Sequence, residues 1–170
     1  MNRTLSLVAM ALVSGALGIG AQGMAHVDMK DASGQSVGMA MISDAPGGGV
    51  SISIDFKGLP PGEHALHFHQ TAKCEAPFTT AGGHFNPDMK KHGMENPEGP
   101  HAGDMSNFTV AANGTAKTTI VNKRVIMGMG ANSIYANGGT ALMIHAKGDD
   151  MKTDPSGNAG DRIACGLVVK

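Results

Sequence analysis

Residues 51–56 read SISIDF, with Ile52, Ile54 and Phe56 alternating with Ser51, Ser53 and Asp55. Side chains of a strand point to opposite faces in turn, so this stretch buries one apolar face and wets the other. Outward from it, the same strand-like character recurs in runs 37–42, 64–69, 108–111, 115–121, 141–145 and 166–169. Turn signals separate the runs: DASG at 31–34, APGGG at 45–49, GLPPG at 58–62, NG at 113–114 and NGG at 137–139. Asn113-Gly114 between two runs is the strongest hairpin signal. No ten-residue helical stripe is present. About eight short strands in one domain predict an all-β antiparallel sandwich or barrel. Segments 70–104 and 146–164 break the pattern, being long, polar and rich in Gly and Pro. Loops of that length in a compact domain usually carry function.

The 170 residues suit a single domain, and 41% hydrophobic residues supply a core. A formal net charge of −1 with 16% charged residues excludes a basic nucleic-acid binder and a disordered acidic chain. Aromatics at 4%, with no Trp, argue against stacking platforms for bases. Residues 1–25 read as an export signal: Arg3 supplies the positive start, LSLVAMALVSGALGIGA (5–21) the apolar stretch, and Gly23 and Ala25 a small-residue exit. Ser14, Gly15 and Gly18 make the run too weak for a membrane span. Cleavage is expected after Ala25, with Ala21 as the alternative, leaving 26–170 as the mature domain with no membrane contact. In an oxidising compartment two cysteines, Cys74 and Cys165, read most simply as one disulfide.

Histidine is the outlier: there are eight, seven of them between His64 and His145. In His67-Phe68-His69, strand alternation puts two imidazoles on one face, with Leu66 and Phe68 on the other. That suits a chelating pair. His84, His92, His101 and Asp104 follow in the first long loop. Three imidazoles and a carboxylate suit tetrahedral zinc, and a bound ion would give the loop a reason to be ordered. His145 ends an apolar run and can return to meet His67 and His69.

The segments GEHALHFHQ (62–70), AGGHFNP (81–87), KHG (91–93), HAGD (101–104), IHAKGDD (144–150) and GNAGDRIACG (157–166) together resemble the secreted copper/zinc superoxide dismutases of bacteria. The resemblance spans essentially the mature chain. It implies an eight-stranded Greek-key barrel, an immunoglobulin-like sandwich with two long functional loops. One copper and one zinc ion per subunit are implied. His67, His69, His84 and His145 would hold copper; His84, His92, His101 and Asp104 would hold zinc, with His84 shared. Asp149 would orient His67 and His92 from behind, and His64 would support the copper strand. Arg162 would draw superoxide to copper, with Ser156 on the channel wall; Arg162 and His84 are the catalytic candidates. The reaction implied is conversion of superoxide to O2 and hydrogen peroxide by Cu(II)/Cu(I) cycling, in the periplasm, as protection against oxidative stress. Asp161 departs from the family by setting an acid beside Arg162, and Lys147 and Lys152 are candidates to restore the positive field. The family holds monomers and homodimers, and the sequence leaves both open.

Three other readings compete. A copper carrier would use methionines such as Met39, Met41, Met127 and Met129; the alternation of Met39 and Met41 instead predicts core residues. A zinc-only relative would have lost copper ligands, and all four are here. A cupin-type enzyme also carries H-x-H, but Glu75 is misplaced for it. His26 lies outside every motif; as a mature N-terminus its amine and imidazole would chelate copper, though a disordered terminus is the plainer expectation.

Overall fold

The computed structural model describes residues 23–170. Among the described residues nine strands form, in chain order β1 Met24–Asp31, β2 Ser36–Asp44, β3 Val50–Phe56, β4 Gly62–His64, β5 Leu66–His69, β6 Phe108–Val110, β7 Ala116–Asn122, β8 Thr140–His145 and β9 Arg162–Val168. Seven of them make one antiparallel sheet in the order β5-β8-β9-β1-β2-β3-β7, and β4 pairs with β6. Strands β4 and β5 are one run interrupted at Ala65, and the Asn113-Gly114 turn joins β6 to β7. The small sheet therefore links the two edges of the large one, and the curled sheet closes as a barrel-like sandwich. Closure protects the exposed edges that an open sheet would present.

The alternation around residues 51–56 sets the register. Ile52 and Ile54 pair with Ile42 and Ala40 of β2 and with Ile120 and Thr118 of β7. Ile52, Ile54 and Phe56 are buried in the main core with Val27, Met29, Leu66, Phe68, Leu142 and Ile144. Each such side chain contributes about 1.5–3 kcal/mol relative to exposure. Phe108 closes the core edge-on to Phe56, 5.7 Å between ring centroids.

Three sequence expectations change. β1 is a full strand, because Val27 and Met29 alternate with His26, Asp28 and Lys30; His26 sits within it, opposite Met41, not in a disordered terminus. The leader expected over 1–25 lies outside the described residues up to 22, and Met24 and Ala25 pair with Ser43 and Ile42. Met39 and Met41 are not core residues: Val37, Ala40 and Ile42 face inward, and these two thioethers are 41% and 38% exposed. β9 begins at Arg162, so the second long loop ends earlier than the Gly-rich pattern implied, and Arg162 lies in register beside His145.

Candidate metal centre

The two long loops fold onto the face presented by β5 and β8. His67 pairs with Met143, and His69 with Ala141, so both imidazoles share a face with the end of β8. An irregularity between Ile144 and His145 turns the last residue of β8 toward them. His84 reaches the same place through an antiparallel bridge to His69. The loop carrying it is stitched down by backbone bonds among Phe68, Phe85 and Gly103 of 2.8–3.0 Å. Gly103 has no room for a side chain, since a Cβ there would strike the Phe68 carbonyl.

Four buried imidazoles, those of His67, His69, His84 and His145, bring one nitrogen each within 4.8 Å of the others. Their outward nitrogens fix the tautomers. His69 Nδ1 donates to the Gly82 carbonyl at 2.9 Å, His145 Nδ1 to Gly160 at 3.3 Å, and His67 Nε2 to Asp149 Oδ2 at 2.8 Å. The inward atoms are therefore lone pairs. His69 Nε2 and His145 Nε2 face each other at 3.3 Å, and His67 Nδ1 and His84 Nε2 are buried with no hydrogen-bond partner. Lone pairs left so are costly unless a cation lies among them. Burial pushes His84 and His145 down to about 4 and lowers His67 and His69, so all four are neutral near pH 7. Four imidazole nitrogens suit copper.

The second group is His84, His92, His101 and Asp104, also within 4.8 Å. Asp104 Oδ1 lies 2.9 Å from His84 Nδ1, 3.1 Å from His92 Nδ1 and 3.4 Å from His101 Nδ1. Zinc at its usual 2.0–2.1 Å from tetrahedral ligands gives ligand-to-ligand edges of about 3.3 Å. The donor set and its spacing fit zinc. Asp104 Oδ2 accepts the N–H groups of Gly93 and His101, both at 2.9 Å. Burial alone would raise the Asp104 carboxyl, but hydrogen bonds from His101, His84 and His92 outweigh it and hold it well below the usual range. His84 belongs to both groups, one ring nitrogen in each.

Asp149 ties the groups together. Its Oδ2 accepts from His67 and its Oδ1 from His92 Nε2 at 3.0 Å, while the Met151 N–H donates at 2.6 Å. Between Asp104 and Asp149 the His92 imidazole is lifted to about 9, against the opposing effect of burial. His64 lies behind the copper-group strand, with Nδ1 2.7 Å from the His145 carbonyl and Nε2 2.8 Å from that of Pro60. Arg162 donates to the carbonyls of Phe78 and Gly82, both at 2.6 Å. Gly82 thus anchors both Arg162 and His69. The Cys74–Cys165 disulfide fastens the loop bearing those carbonyls to β9. Ser156 is half-buried in the second loop and its side chain makes no hydrogen bond among the described residues. Lys152 pairs with Glu95 at 2.9 Å.

The family model described as "Copper/zinc superoxide dismutase (SODC)" matches residues 36–168. The chain belongs to the copper/zinc superoxide dismutase family. It is 46% identical over 147 residues to "Superoxide dismutase [Cu-Zn] 2" of Aquifex aeolicus, covering 85% of each. It is 42% identical over 128 residues to "Extracellular superoxide dismutase [Cu-Zn]" of Brugia pahangi, covering 70% of this chain and 62% of that one. Among solved structures, a superoxide dismutase-like protein from Bacillus subtilis superposes with a TM-score of 0.83 at 36% identity, covering 88% of this chain and 100% of that one. This dismutase is an oxidoreductase acting on superoxide, and its two groups fit a copper and a zinc site.

Several residues that hold the dismutase site were not singled out from sequence. Asn107 clamps Asp149 at two points, donating to its carbonyl at 2.9 Å and accepting its N–H at 2.8 Å. Asn122 donates to the Ala102 carbonyl at 2.8 Å. Arg124 donates to the carbonyls of Asp104 and His101. Gly157 lies against the Asp149 carboxylate. Gly103 and Gly157 sat inside the quoted motifs; Asn107, Asn122 and Arg124 carry no local signal, since their partners are distant in sequence.

Proposed function

We propose that this chain is an exported, periplasmic dismutase in which His67, His69, His84 and His145 hold copper and His84, His92, His101 and Asp104 hold zinc. The observation that carries the reading is His84: its Nδ1 faces Asp104 while its buried Nε2 has no partner. Bound copper would supply one-electron exchange with superoxide, and zinc a fixed charge that orders the loop. His84 would carry a proton at Nε2 and release it to the reduced substrate, while Nδ1 stays with the zinc group. Asp149, held by Asn107, would keep His67 and His92 in the tautomers that present Nδ1 inward. His64 would brace the backbone of His145. Arg162 would attract the anion and orient it, since its guanidinium is pinned by two carbonyls beside the copper group. Ser156 would line the approach. The disulfide and the family's extracellular member favour export. Processing after Ala21 would keep β1 whole, because Met24 and Ala25 are strand residues and Ala25 packs on the core.

The test is metal analysis with a direct superoxide-decay assay on the purified mature protein and two variants. His145→Ala should lose copper and activity while staying folded; Asp104→Ala should lose zinc and loosen the 70–104 loop. A His145→Ala protein that keeps full copper and full rate would refute the assignment.

A further inference from the structure

The outer face of β1 and β2 gathers residues that the buried centre does not use. His26, Asp28 and Lys30 project outward from β1, and Met39 and Met41 from β2. The register sets His26 directly opposite Met41 and Asp28 opposite Met39. Directly opposed side chains on an antiparallel pair have Cβ atoms about 4.5–5.5 Å apart, and diagonal ones stay within reach of long side chains. Met39 is diagonal to His26. Met24, 59% exposed and paired with Ser43, lies two residues before His26 on the same face. The register thus puts thioethers on unbranched stems at positions opposite and diagonal to one imidazole. Met39, Met41 and Asp28 also wall a shallow groove of about 360 Å³.

Thioethers on a strand face that water reaches give up the burial that would make them useful as apolar filler. The charges beside the sulfurs balance: Asp28 lies beside Met39, Asp55 on its other side holds Lys117 at 2.9 Å, and Lys57 also lines the groove, so it is the soft donors themselves that favour a ligand. Soft sulfur with a single imidazole suits a soft monovalent cation; zinc and Cu(II) prefer more nitrogen, oxygen or thiolate. We propose that His26, Met39 and Met41 form a surface site for Cu(I), with Met24 as a third thioether, separate from the buried centre. The site stands independently of the roles given to the buried histidines.

The experiment uses the full mature protein with its buried centre loaded and reduced, labelled at the methionine methyl carbons. Silver(I), a closed-shell stand-in, and then Cu(I) held by a competing chelator are titrated in while methyl resonances are followed by NMR. Expected is a shift of Met39 and Met41 saturating at one added equivalent, with the buried Met105 and Met143 unmoved. Met89 and Met129, 90% and 92% exposed, serve as isolated thioether controls. The Met39→Leu/Met41→Leu double variant should keep its dismutase rate. It should bind Cu(I) at least about tenfold more weakly, the low end of what losing even an outer partner of a metal ligand costs. Equal shifts at Met89 and Met129, no shift at Met39 and Met41, or unchanged affinity in the double variant would each overturn the proposal.

Discussion

Gly157 gives a sharp test of how the buried centre is organised. It sits at φ 64°, and a Cβ added there would strike Asp149 Oδ1, 2.5 Å from Asp149 Cγ and 2.7 Å from His92 Nε2. Two costs separate cleanly. The left-handed conformation costs any L side chain about 1–2 kcal/mol. The contact adds a displacement: carbon atoms settle at about 3.5 Å or more, so the carboxylate must retreat by about 1 Å. The His92–Asp149 bond of 3.0 Å would then open to about 4 Å, outside hydrogen-bond range. Losing an outer partner of a metal ligand weakens binding about 10–100-fold, or about 1.4–2.7 kcal/mol. Gly58 supplies the control, since it has φ 70° with nothing within 4 Å of an added Cβ. Gly58→Ala should lose stability alone. Gly157→Ala should lose at least that much and also hold zinc about 10–100-fold more weakly in a chelator competition. Identical zinc affinity in the two variants would refute the idea that Asp149 organises His92.

Metal-free protein should be most stable near pH 6.5. His92, raised to about 9, stabilises fully below its unfolded value of 6.5, and this contribution, on the order of 3 kcal/mol, is lost as the pH rises through 9. His84 and His145, depressed to about 4, cost stability as the pH falls from 6.5 toward 4, because the unfolded chain takes protons first. Denaturant unfolding from pH 4 to 10 checks both limbs, and a monotonic profile would contradict one of them. Reducing the disulfide, which spans 91 residues, should cost about 4–5 kcal/mol in unfolding experiments. The dismutase rate should fall further than that loss requires, because the carbonyls holding Arg162 sit on the released loop; a folded, reduced protein with full rate would argue against that anchoring. Raising ionic strength should slow superoxide decay in the native enzyme and much less in Arg162→Gln. A salt-independent native rate would remove the steering role.

What was legible from sequence follows the range of each interaction. The strand run around Ile52 and Ile54 and the hairpin at Asn113-Gly114 rest on local alternation and turn chemistry, and the fold carries them as read. The group His84, His92, His101 and Asp104 was legible because its residue types are rare and clustered, and the His67–His69 pair because it alternates on one strand; assigning His84 and His145 to copper with that pair came from the family motifs. β1 was missed because its first residues overlap the export signal and its outward face is charged, which hid the alternation of Val27 and Met29. Met39 and Met41 alternate as core residues do, yet the neighbouring Ala40 and Ile42 show which face is inside; alternation alone does not say which phase is buried. Asn107 and Arg124 were invisible, since each acts on backbone atoms 42 and 20 residues away.

His84 stands in both ligand groups, and Asp149 grips one histidine of each. Filling one group fixes rings that the other also needs. The two ions must therefore bind as linked events, not as independent occupants. Thermodynamic linkage makes that debt symmetrical: by whatever factor zinc tightens copper, copper tightens zinc by the same factor. A cell that starves this enzyme of one metal would then loosen its hold on both.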